Sequence, residues 1–211
     1  MENYKKRRLI MVKKYIIAVL ALVPFVLCAS VASAQDQWTG NINVFLGQKS
    51  LDKDDWEPIE KQSEFGIEVD FRKKDWPVNI AIDILHSWAE DTVSLTDPFT
   101  GPYDMKVTGN TTEFNIGIRK IWDEFSSVRP FIGGGLSYIR AEFEGTIPGL
   151  GSASDSDTGV GIWLGGGVYF TLGEHFNIGV ELKYSDAEVT LFDVDGDAGG
   201  THYGLLAGYH W

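Results

Sequence analysis

Nine charged side chains, Glu64, Glu68, Asp70, Arg72, Asp83, Glu113, Arg119, Glu181 and Lys183, alternate with apolar neighbours along the chain. Alternation places them on a shared face, and charges that share an interior must pair there. The chemistry expected of them is a structural plug of ion pairs. Six acids against three bases leave an acidic excess, so a gate or cation path is the alternative.

Other reactive types are sparse. His86-Ser87 is the best nucleophile and base combination. Acyl transfer needs the two within hydrogen-bond reach, yet adjacent residues of a strand point to opposite faces. His202 and His210 share a face, but eight residues of strand separate them by about 27 Å, too far to share a metal. Asp193-Val194-Asp195-Gly196-Asp197 has the alternating aspartates that open a calcium loop. The closing glutamate is missing and Gly199-Gly200 follow. A solvated acidic loop is expected there, with a weak surface cation site as the alternative. Asp155-Ser156-Asp157 has the same reading. No enzyme, metal or cofactor is expected.

The elements that must position these residues alternate with a period of two, the mark of half-buried strands. Trp38, Gly40, Ile42, Val44 and Leu46 oppose Asn41, Asn43 and Phe45. Phe65, Ile67, Val69 and Phe71 form a second apolar face, and Val78, Ile80, Ile82 and Ile84 a third. Phe114, Ile116 and Ile118 form a fourth. Ile132, Leu136 and Tyr138 belong to a fifth, Val160, Ile162 and Leu164 to a sixth. Phe176, Ile178, Val180 and Leu182 form a seventh; Tyr203, Leu205, Ala207, Tyr209 and Trp211 an eighth. Connections after strands two, four and six are short, and those after one, three, five and seven are long and polar. Short turns at one end and long loops at the other are the habit of outer-membrane barrels. Gly133-Gly134-Gly135 and Gly165-Gly166-Gly167 lie inside strands five and six, where they would make room for inward Phe131 and Trp163.

The first 34 residues read differently. Lys5, Lys6, Arg7, Arg8, Lys13 and Lys14 precede the apolar run Ile16–Leu27, and Ala32-Ser33-Ala34 closes it. Basic, apolar and small in that order is a cleavable secretory signal, with cleavage expected between Ala34 and Gln35. Met11 is an alternative start to Met1. Cys28, the single cysteine, leaves with the signal; Leu27 before it is too large for a lipoprotein site. Residues 35–211 then hold 12 basic and 29 acidic side chains, a net charge of −17. That excess disfavours nucleic acid as a partner.

Aromatic residues gather at both strand ends: Trp38, Phe71, Trp76, Trp122, Phe170, Phe176, Tyr209 and Trp211 at one, Trp88, Tyr138, Tyr184 and Tyr203 at the other. Two girdles suit two membrane interfaces. The signal, the alternation, the run Pro130-Phe131-Ile132-Gly133-Gly134-Gly135-Leu136 and the aromatic C-terminus together resemble the OmpA/OmpX/OmpW-type outer-membrane β-barrels. The resemblance covers the chain from residue 35 to 211 and implies an all-β, eight-stranded antiparallel up-and-down transmembrane barrel. It implies that Tyr203, Leu205, Tyr209 and Trp211 are the signal read by the barrel-assembly machinery, with small Ala207 a departure. It also implies contact with outer-membrane lipid and lipopolysaccharide. No peptidoglycan-binding domain follows Trp211, so a barrel alone is expected. The expected function is non-catalytic: a structural or surface-contact role, or a minor route for small apolar solutes as the OmpW likeness implies. Two alternatives stand. Lipid A deacylases and acyltransferases occur on this architecture, and a soluble lipocalin-like binder would use the same strands with the apolar face turned inward.

Overall fold

The computed structural model describes residues 37–97, 101–123 and 127–211; the signal segment and the Ala34–Gln35 junction lie outside them. Ten strands and one helical turn follow in order: β1 (Trp38–Ser50), α1 (Lys53–Trp56), β2 (Lys61–Lys73), β3 (Asn79–Asp97), β4 (Gly101–Ile121), β5 (Val128–Ile147), β6 (Gly151–Leu172), β7 (Phe176–Asp186), β8 (Glu188–Leu191), β9 (Val194–Asp197) and β10 (Gly200–His210). Eight of them close into a barrel in the order β1-β10-β7-β6-β5-β4-β3-β2, while β8 and β9 form a separate hairpin. Closure leaves no backbone edge in the barrel wall, the condition for a sheet to sit in hydrocarbon.

The period-two pattern sorts the side chains. Leu46, Ile84, Ile118, Leu136, Ile162, Leu182 and Leu205 face outward, each more than half exposed. Charged and amide residues face inward. A lipocalin-like barrel needs the opposite arrangement, and the exposed apolar belt overturns that alternative. Phe131 and Trp163 point inward among the charges, 4% and 2% exposed. A Cβ at Gly167 would lie 2.7 Å from the Phe131 ring, so the glycine run clears space for it. Trp211 continues the last ladder: Gly40 and Trp211 exchange backbone hydrogen bonds of 3.1 Å each way. Its indole lies where a Cβ on Gly40 would be, 2.6 Å from the nearest ring atom.

Strand lengths are unequal. β1, β2, β7 and β10 have 11–13 residues, close to the 9–11 that a tilted strand needs to cross a bilayer. β3 to β6 have 19–22. Their surplus projects on the side away from the termini. The long loops expected after strands three and five are therefore a correction: they are continuous ladders, paired as far as Asp97–Gly101 and Ile147–Gly151. Thr, Ser and Val in these stretches suit a strand, and antiparallel pairing satisfies the backbone without an apolar face. The expected loop after strand one contains α1, capped by Asp52, whose carboxylate accepts the Asp54 N–H at 2.8 Å. The expected acidic loop after strand seven is largely the β8–β9 hairpin.

Candidate functional site

The lumen is built in tiers. At its inner end Asn41 and Asn79 donate to Asp70 Oδ1, and Arg129 reaches Asp123 at 2.7 Å. At mid-height Lys183 Nζ bridges Glu68 and Asp83 at 2.8 and 2.9 Å. Arg119 Nη2 lies 3.1 Å from Glu68, and its Nη1 lies 3.4 Å from Asp70 and donates to the Tyr169 hydroxyl. Aromatic rings cover both cations: Phe131 lies 5.0 Å from the Arg119 guanidinium and Trp163 5.3 Å from Lys183 Nζ. Glu181 lies 3.5 Å from each cation. Both its oxygens and Asp83 Oδ1 are buried without a hydrogen-bond partner. The acidic excess is therefore concentrated at this level.

The outer tier joins Lys49, Glu113, Glu64 and His202. Lys49 Nζ pairs with Glu113 and donates to Thr111 and the Ala198 carbonyl. His202 Nδ1 sits 2.9 Å from Glu64, and its Nε2 sits 2.9 Å from the Ser185 hydroxyl. Of the nine charges expected inside, eight are buried together. Arg72 is the correction: it falls at the rim, where β2 nears its end, and binds Asp123 at 2.8 Å and the Trp76 carbonyl at 3.2 Å. Lys49 takes its place in the count. The alternation places Lys49 inward once β1 is extended to Ser50, opposite His202 in the register.

Ser185, His202 and Glu64 have the spacing of an acyl-transfer triad, which sequence spacing did not bring together. The surroundings oppose that chemistry. Ser185 is fully buried, and Glu113 Oε1 stands 3.2 Å from its hydroxyl. A developing oxyanion needs donors there, not a carboxylate. His86 and Ser87 part as alternation requires. His86 faces outward and contacts Thr112, whereas Ser87 is buried and donates to Gln62 at 2.6 Å. His210 contacts the Gly40 carbonyl at the inner end of the barrel, far from His202 along the strand. Among the described residues, no group of three or more His, Cys, Asp or Glu is placed to hold a metal ion.

An apolar cap closes the outer mouth. Leu51, Trp56 and Ile59 of the α1 segment pack with Val107, Ile139, Ala187 and Val189. The Trp56 indole N–H donates to the Asp197 carbonyl at 2.7 Å, and Asp55 accepts the Asp197 N–H at 2.9 Å. The aspartates expected as cation candidates serve as fasteners. Asp157 accepts the Thr190 N–H and Asp155 the Phe192 N–H, both at 2.7 Å, docking β8 against β6. The Thr190 N–H holds the Asp157 carboxyl below its ordinary value. Asp197 accepts from the Ala187 and Gly199 N–H groups, and Asp195 from the Thr190 hydroxyl.

A closed barrel with an apolar outer belt, a charged interior and aromatic rims is a transmembrane barrel. The family described as "Outer membrane protein beta-barrel domain" matches residues 18–211, and the chain belongs to it. It is a protein of the bacterial outer membrane. Solved structures of small outer-membrane proteins are similar at low identity. The attachment invasion locus protein Ail of Yersinia pestis is 17% identical over 84% of this chain and 100% of its own, with a TM-score of 0.49. Neisserial surface protein A is 13% identical over 82% and 94%, TM-score 0.44. OprG of Pseudomonas aeruginosa is 15% identical over 83% and 94%, TM-score 0.42. Among curated proteins, none matches.

Proposed function

We propose that this barrel is a non-catalytic surface-contact protein, anchored by its filled lumen and acting through the sheet that β3 to β6 carry outside the membrane. One observation carries the reading. The ladder between β2 and β3 ends at Ser63–Trp88, so Ala89–Asp97 of β3 has β4 on one side and no strand on the other among the described residues. An open strand edge offers backbone donors and acceptors to an extended polypeptide, the mode of strand addition. The opposite edge, on β6, is treated differently: β8 docks along it where the β7 ladder stops at Ile162–Asp186. Passage of small apolar solutes is less well supported, because two tiers of buried ion pairs lie across the lumen beneath an apolar cap.

The test compares cells expressing the intact protein with cells in which Ser94–Asp104 is replaced by an Asn-Gly turn. Ser94 and Asp104 are register partners, so the remaining ladder keeps its pairing. Adhesion of cells to polypeptide-coated surfaces and to one another is expected to fall severalfold in the shortened form, which keeps only Ala89–Val93 of the open edge. Equal adhesion by both forms rejects the reading, as does a single-channel conductance or solute flux comparable to an open porin.

A further inference from the structure

Phe192 has no part in the barrel, the lumen or the open edge of β3. It stands at the turn of the β8–β9 hairpin with a backbone φ of 52°, and Asp193 beside it has 63°. Bulky side chains rarely adopt this left-handed region, and glycine or asparagine would be easier at both positions. The turn is nevertheless pinned by the bond from the Phe192 N–H to Asp155. The ring it holds is 48% exposed and meets Phe143 edge-on at 6.1 Å. Strained backbone that presents an exposed aromatic is a recurrent sign of recognition.

Two apolar hollows meet at that ring pair. One, of about 230 Å³, is lined by Trp56, Phe143, Leu191, Phe192 and Val194, with Asp55 and Asp195 among its walls. The other, of about 420 Å³, is lined by Met105, Phe143, Ile147, Leu150 and Phe192. One carboxylate oxygen of each aspartate is engaged, Asp55 by the Asp197 N–H and Asp195 by the Thr190 hydroxyl. The second oxygen of each is available to a ligand. Aromatic faces beside carboxylates favour an organic cation over a neutral or anionic molecule. The surrounding surface agrees in sign: Asp52 and Asp54 flank the α1 wall, where Lys53 is paired with Glu57 at 3.5 Å, and Asp193 flanks the hairpin wall.

We infer that this extracellular groove binds small organic ammonium ions bearing an apolar group. The charged head sits in the smaller hollow between the aromatic rings and Asp55 and Asp195, and the apolar part extends past Phe143 toward Leu150. The inference stands apart from the surface-contact reading.

The experiment is calorimetric titration of the refolded protein in nanodiscs with benzyltrimethylammonium. Saturable binding is expected, with its uncharged carbon isostere, neopentylbenzene, at least about tenfold weaker. Phe192→Leu keeps apolar bulk but removes the ring and is expected to weaken binding about tenfold. Asp195→Asn keeps the acceptor for Thr190 but removes the charge, and is expected to weaken binding about fivefold. Heat-dependent gel migration shows that each variant retains its barrel. Absence of saturable binding overturns the inference. So does equal affinity for the uncharged isostere, or unchanged affinity in both variants.

Discussion

Below the level of Trp88 the eight strands form one wall, each inward residue is packed against the far side, and cations and carboxylates pair across the interior. Above that level β3 to β6 alone continue among the barrel strands, and outside the apolar cap their side chains are mostly polar and at least partly exposed. The same backbone ladder runs through both halves. What differs is what each side chain loses if altered. Inside, a charge without its partner has no water to turn to. Outside, beyond the apolar cap, water replaces most lost polar contacts. The inner half therefore carries stability and the outer half is free to carry recognition.

That contrast can be tested in order of effect. Arg119→Met removes one cationic partner of Glu68 and the cation beside Asp70 and is expected to cost about 3–5 kcal/mol, read as a lower urea midpoint for loss of the heat-shifted band. An effect below 1 kcal/mol would mean that water reaches the mid-lumen freely. Gly40→Ala places a methyl against the Trp211 ring and the Asp70 carbonyl at the closing seam; about 1–3 kcal/mol is expected by the same assay. Glu181→Gln should run the other way. It relieves an acidic excess around a carboxylate neither of whose oxygens has a hydrogen-bond partner, so stability is expected to rise by about 1 kcal/mol. A loss instead would show that Lys183 and Arg119 depend on that charge. In the outer half, replacing Ser94–Asp104 by the short turn is expected to change stability by no more than about 0.5 kcal/mol in the same assay. The smallest effect is expected at Asp157. Its folded pKa is depressed, so its hold on β8 is complete above the ordinary carboxylate value near 3.9 and is lost as pH falls through the lower folded value. The protection factor of the Thr190 amide, its exchange relative to the intrinsic rate at each pH, should fall over that window, and Asp157→Asn should remove that fall.

The inner half was legible in the sequence because hydrocarbon outside and charge inside impose a strict period of two. The eight spanning strands, their outward faces and most of the lumen residues follow from it. Partner choice across the barrel was not legible. Lys49 meets Glu113, and His202 meets Glu64, through the stagger of the closed sheet, which no local pattern encodes. The outer half was harder for a different reason. Stretches such as Thr92-Val93-Ser94-Leu95-Thr96 still alternate, but between acidic neighbours they resemble loop as much as strand. The β8–β9 hairpin lacks the glycine or asparagine that would announce its turn, and has Phe192-Asp193 in their place.

The two lateral margins of the outer sheet set a limit on stoichiometry. A flat sheet open on both sides is a template, able to recruit chain after chain. Here the β8–β9 hairpin covers the margin at β6 from Asp155 onward, so among the described residues β3 offers the longer open margin to a newcomer. One addition uses up the reactive side. If the newcomer is a second copy of this barrel, the two β3 strands pair edge to edge across a twofold axis and both partners are spent. Assembly at the cell surface then terminates at two rather than growing into fibres.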